Sequence, residues 1–113
     1  MNKKFKKITK TGADGLMAKL REFCQSYGII YCALFGSRAR GEALKKSDLD
    51  LIVEFNRPIG GFEYIRLQQE LEARTGLEVD MLTKEGLRLS KGKSADYFKS
   101  LILKDLKVVY EEK

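Results

Sequence analysis

Residues 48–55 read DLDLIVEF, and this alternation constrains the chain more than any other stretch. Residues two apart in an extended strand point to the same face. Leu49, Leu51, Val53 and Phe55 then share an apolar face, while Asp48 and Asp50 project together from the other. Such a strand needs a core on one side and carries paired carboxylates on the opposite side. Side-by-side carboxylates repel, and one tends to stay protonated unless a cation intervenes.

The elements around this strand follow from periodicity and punctuation. Thr11-Gly12-Ala13-Asp14 has the spacing of a capping box. Leu16, Leu20, Phe23 and Tyr27 follow at helical steps, and Gly28 is a natural stop. Ile29 to Phe35 is a short apolar run that reads as a buried strand. Gly36-Ser37 breaks it; Ser37 can cap a short helix from about Arg38, ended by Gly41. A helix is expected from Gly60-Gly61 to about Arg74, with Tyr64, Leu67 and Leu71 on one face and Phe62 and Ile65 beside them. Leu77 to Thr83 reads as a strand whose Asp80 opposes Leu77, Val79 and Met81. Lys84 to Lys93 has no clear pattern. Ser94 is a candidate cap for a helix carrying Tyr97, Phe98, Leu101 and Ile102, and Val108-Val109-Tyr110 a candidate last strand. The expected fold class is α/β (α+β): a small mixed β-sheet flanked by helices.

Composition narrows the chemistry. At 113 residues the chain fits one domain, with residues 11–113 as the folded unit and residues 1–10 as a basic, flexible segment. Hydrophobic residues make up 43% and charged residues 34%, the balance of a globular domain. Histidine is absent, which excludes Ser-His-Asp triads and HExxH zinc sites. Cys24 and Cys32 are neither a disulfide framework nor a zinc pair; they read as small core residues in a reducing cytoplasm. No apolar run is long enough for a membrane span, and the N-terminus lacks the apolar region of a secretory signal. Neither GxxxxGK[ST] nor GxGxxG occurs. The net charge is +6, and five lysines fall in the first ten residues. These form a solvated tail or a patch that attracts phosphate-bearing partners, nucleic acid included.

The Gly36-Ser37 turn bears on the acidic pair. Free backbone N–H groups at a helix start bind anions such as phosphate, and glycine lets the backbone approach closely. Arg38 and Arg40 flank the turn, and arginine suits bidentate phosphate contact. Each feature alone has a plain structural reading: a Ser-capped turn, surface arginines, an exposed acidic turn. Jointly, Gly-Ser, ten residues and Asp-x-Asp arise by chance in roughly one chain in 500 at average residue usage. Mg²⁺ is the cation expected at such a carboxylate pair, since it takes oxygen ligands and shares substrate phosphates.

The segment GSRARGEALKKSDLDL resembles the signature of the minimal nucleotidyltransferases of the DNA polymerase β-like superfamily. The similarity rests on Gly36, Ser37, Ala39-Arg40-Gly41, Ser47, Asp48 and Asp50, extends from about Gly28 to Leu82, and includes the tail ILKDLKVVYE. It implies that Gly36 and Ser37, with Arg38 and Arg40, hold a nucleoside triphosphate. Asp48, Asp50 and Asp80 would hold two Mg²⁺ ions; Asp80, in the place of the family's third carboxylate, would complete the second metal site or help deprotonate the acceptor hydroxyl. It also implies transfer of a nucleoside monophosphate, AMP from ATP, to a hydroxyl, with release of pyrophosphate. The implied acceptor is a partner protein such as a HEPN toxin, with the chain as antitoxin. The alternative is a module that neutralises its partner by contact alone.

Overall fold

The computed structural model describes residues 13–36, 39 and 49–112. Along these the order is α1 (Ala13–Tyr27), β1 (Ile29–Phe35), β2 (Leu49–Phe55), α2 (Gly61–Thr75), β3 (Val79–Thr83), α3 (Lys84–Leu89), α4 (Lys93–Lys104) and β4 (Lys107–Glu111). The expected cap at Thr11 lies outside the described residues, as do residues 38, 40 and 41 of the expected short helix.

The four strands form one sheet in the order β3-β2-β1-β4. β1 is antiparallel to β2 and to β4, and β2 is parallel to β3, so the sheet is mixed as expected. Side-chain alternation divides it into two faces. On one, Leu49, Leu51 and Val53 of β2 join Cys32, Leu34, Val79 and Met81 under α1 and α2, which contribute Leu20, Phe23, Cys24, Leu67 and Leu71. On the other, Tyr31, Ala33, Phe35 and Ile52 pack with Ile102 of α4. An irregularity between Ile29 and Tyr31 lets Ile29 join the first core while Tyr31 joins the second. Cys24 and Cys32 are buried free thiols within the first core. The hydrogen-bonded neighbour Cys24 and burial push the Cys32 thiol well up, which keeps it protonated and unreactive.

The C-terminal half departs from expectation in two places. The unread stretch contains helix α3, whose N-cap Thr83 accepts a hydrogen bond from the Gly86 N–H at 2.9 Å. A six-residue helix buries no side chain, so it leaves no apolar period to read. Ser94 is not the cap of α4: the helix begins at Lys93 behind Gly92, whose φ of +107° only glycine adopts readily. Asp96 donates its N–H to the Gly92 carbonyl at 2.9 Å, closing the first turn without a side-chain cap. Phe62 is 93% exposed and Ile65 54%, so these two lie outside the core that Leu67 and Leu71 enter.

Phe23 has 1% exposure and a central place in the larger core. Phe23→Ala is expected to cost about 3–5 kcal/mol in urea unfolding. Phe62→Ser, at a site with nothing packed around it, should change stability by less than about 0.5 kcal/mol.

Candidate active site

The acidic face is positioned by backbone pairing. Leu49 donates its N–H to the Glu78 carbonyl at 2.7 Å, which joins the start of β2 to the approach of β3. The Glu72 carboxylate of α2 accepts the Val79 N–H at 3.0 Å and ties β3 to that helix. From there the parallel register runs Leu49 with Val79, Asp50 with Asp80, and Leu51 with Met81. Val79 and Met81 face the larger core, so Asp80 stands on the opposite face, exposed, and Asp50 stands beside it, half-buried. Adjacent strands lie about 4.8 Å apart, which brings the two carboxyl groups into one local field.

The turn after β1 closes in on the same point. Phe35 pairs with Asp50 across the antiparallel ladder. Gly36 follows with φ +77°, a conformation that favours glycine. A Cβ at Gly36 would lie 2.5 Å from the Asp50 Oδ2 atom, so a side chain there would displace the carboxylate. Of the residues singled out in the sequence, Gly36, Asp50 and Asp80 are therefore brought together. Ser37, Arg38, Arg40 and Asp48 lie outside the described residues. Among the described residues no group of three or more acidic, His or Cys side chains forms a metal cage. The described acidic pair and the cleared space at Gly36 nonetheless suit a hard cation shared with phosphate oxygens, because Mg²⁺ needs only one or two carboxylates of its own.

Two cavities flank this face. One, of about 430 Å³, is lined by Phe35, Gly36, Phe98, Leu101, Lys104 and Asp105 among others. The other, of about 680 Å³, is lined by Tyr64, Leu82, Leu87, Ala95 and Phe98 with neighbouring residues. Phe98 borders both, and its ring meets that of Phe35 edge-on at 6.3 Å between centroids. Burial and the nearby Asp80 carboxylate raise the Tyr64 pKa, so the Tyr64 phenol lies within electrostatic reach of the acidic pair. Tyr64, Phe98 and Lys104 were not singled out as site residues by the sequence pattern. Tyr64 and Phe98 there read as apolar positions of helices, and only the packing of α2 and α4 onto the sheet brings them here.

A parallel acidic pair beside a glycine turn, on a small mixed sheet covered by helices, defines the architecture of the polymerase β-like nucleotidyltransferases. The nucleotidyltransferase domain family matches residues 16–109, and the chain belongs to that family and is a nucleotidyltransferase. Over 73 residues it is 37% identical to the protein adenylyltransferase MntA of Thermococcus cleftensis, covering 65% of this chain and 74% of that protein. The chain spans 63% and 61% of the length of two Methanocaldococcus jannaschii relatives named as protein adenylyltransferases. A solved structure named as a minimal nucleotidyltransferase superposes with a TM-score of 0.62 at 31% identity, over 86% of this chain and 91% of the other. The fold also matches, with a TM-score of 0.60 at 15% identity, a Shewanella oneidensis complex of a tri-AMPylated HEPN toxin with its MNT antitoxin, over 85% and 70% of the two chains. No described helix is long and apolar enough to cross a membrane.

Two outcomes follow from this geometry. Gly36→Ala should weaken binding of Mg²⁺-AMP-PNP by on the order of tenfold in calorimetry, since it strains the turn and moves Asp50. Unchanged affinity would remove the turn from the nucleotide site. Tyr31 and Tyr64 both have raised pKa values, so stability is fully present below the ordinary tyrosine value of 10.0 and is lost as pH rises through the folded-state values. Tyr64→Phe is expected to lessen that alkaline loss, read as urea midpoints from about pH 9 to about pH 11.

Proposed function

We propose that the chain transfers AMP from ATP to a hydroxyl of a partner protein, releasing pyrophosphate, and serves as antitoxin to a HEPN-type toxin. The observation that carries this reading is the register pairing of Asp50 with Asp80 beside the Gly36 turn. The relatives named as protein adenylyltransferases, and the AMPylated toxin in the matching complex, support the choice of AMP and of a protein acceptor.

The division of labour follows from charge and position. Gly36 and Ser37 would cradle the triphosphate with backbone N–H groups and a hydroxyl, and Arg38 and Arg40 would contact its oxygens. Asp48, Asp50 and Asp80 would hold two Mg²⁺ ions. When bound, Mg²⁺ supplies charge neutralisation at the phosphate oxygens. Asp80, on the outer strand, would accept the proton of the acceptor hydroxyl. A cation bound between Asp50 and Asp80 would offset the repulsion of neighbouring carboxylates.

The test uses ATP labelled at the α-phosphate, Mg²⁺, and the product of the neighbouring gene as acceptor. Label is expected on that protein, and Asp48→Ala combined with Asp50→Ala should reduce transfer by on the order of 100-fold or more. Asp80→Asn should slow it by about 100-fold, with little loss of nucleotide affinity. Full neutralisation of the toxin by the double mutant in growing cells would sink the enzymatic reading in favour of contact alone.

A further inference from the structure

We infer that Lys104, in the last turn of α4, holds the β- and γ-phosphates of the bound nucleotide in the cavity beside the Gly36 turn and receives the leaving pyrophosphate. This rests on the function proposed above and adds which residue of the helical layer the departing phosphates meet.

The groups of the site follow the order of the strands. Asp80 lies on β3, Asp50 on the neighbouring β2, and Gly36 follows β1. The next strand across is β4, whose Lys107 pairs with Leu34 near the same end of β1. Lys104 precedes that strand by three residues, so α4 ends on this side of the Gly36 turn. In-line transfer puts the attacking and leaving oxygens on opposite sides of the phosphorus. The acceptor oxygen forms a bond to the α-phosphorus, and the bond to the bridging oxygen breaks. The electron pair leaves with pyrophosphate, and the hydroxyl proton passes to Asp80 and then to solvent. With the acceptor hydroxyl against Asp80, the pyrophosphate departs past Gly36, toward β4 and Lys104.

The cavity of about 430 Å³ lies on that path, with Gly36 and Lys104 both on its lining. Phe98, Leu101 and Lys104 follow at steps of three and share one flank of α4. Beside that flank, Ile102 is buried against Tyr31, Phe35 and Ile52 and fixes where the Lys104 stem begins. Of the described residues on the lining, Lys104 is the only cation. Its ammonium makes no hydrogen bond or ion pair among the described residues, whereas Lys84 is engaged by Glu54 and Lys99 by the Ser90 carbonyl. Asp105, the other charged group on the lining, has an interaction of its own. An ammonium on a flexible stem offers three rotatable donors, which suits a phosphate group that must be held and then released. Lys104 also complements the negative end of the α4 dipole. That structural role by itself would not distinguish one nucleotide from another.

The experiment titrates the ¹⁵N-labelled full chain with AMP-PNP and separately with AMP, each with Mg²⁺ present. Amide shifts are expected at Lys104 and Asp105 with AMP-PNP and not with AMP. Lys104→Gln should weaken AMP-PNP by about tenfold and leave AMP within about twofold of wild type. Lys93→Gln, which removes the same charge from the other end of α4, should leave AMP-PNP within about twofold. Equal loss of both nucleotides in Lys104→Gln, no loss at all, an equal loss in Lys93→Gln, or AMP-PNP shifts that miss the end of α4 overturns the role of Lys104 and leaves the proposed function standing. Failure of the wild-type chain to bind AMP-PNP at all overturns both.

Discussion

Leu49 and Leu51 on β2 lie level with Val79 and Met81 on β3, and all four are buried in the larger core. That apolar contact holds the parallel ladder in register, and the register sets where the acids stand. A slip of one residue would turn Asp80 into the core and Val79 out to solvent, an exchange that costs burial on both counts. The Glu72 contact to the Val79 N–H and the Leu49 bond to Glu78 fix the same alignment from the backbone side. The acidic pair is thus a by-product of good packing on the opposite face.

The two faces of the sheet do different work. The face under α1 and α2 is closely filled, with Leu20, Phe23, Leu34, Leu51 and Leu71 at 1% exposure. The face under α3 and α4 carries a smaller core around Ile52 and Ile102, and it leaves room for two cavities. The tighter packing thus lies on the face opposite the acidic pair, which leaves Asp80 exposed and Asp50 half-buried.

Strand parity made much of this legible from sequence. In DLDLIVEF and LEVDML every apolar residue except Ile52 and Leu82 lies on the parity opposite the aspartates, so the outward side of Asp50 and Asp80 could be read without coordinates. Their direct pairing could not, because register between strands joined through a helix depends on how that helix packs. Helix α3 escaped detection for a local reason: its interior contains Gly86, and its bond to Thr83 replaces the apolar stripe that usually marks a helix. The start of α4 was displaced from Ser94 because Gly92, with its positive φ, begins the turn earlier than a hydroxyl cap would. Tyr64 read as one more apolar position beside Leu67 and Leu71; its place near Asp80 arises only when α2 lies along β3. Of Gly36, Ser37, Arg38, Arg40 and Asp48, only Gly36 lies within the described residues.

β1 takes its two neighbours from very different distances along the chain. Leu34 pairs with Leu51 on one side and with Lys107 on the other. Closing the shorter loop costs less conformational entropy, so β1 and β2 are expected to associate first and β4 to dock late. During synthesis the edge of β1 therefore waits, unpaired, until residues 107–111 have left the ribosome. Until then an exposed row of backbone donors and acceptors is available to other nascent chains. The last strand thus serves to seal an aggregation-prone edge, although it contributes none of the carboxylates.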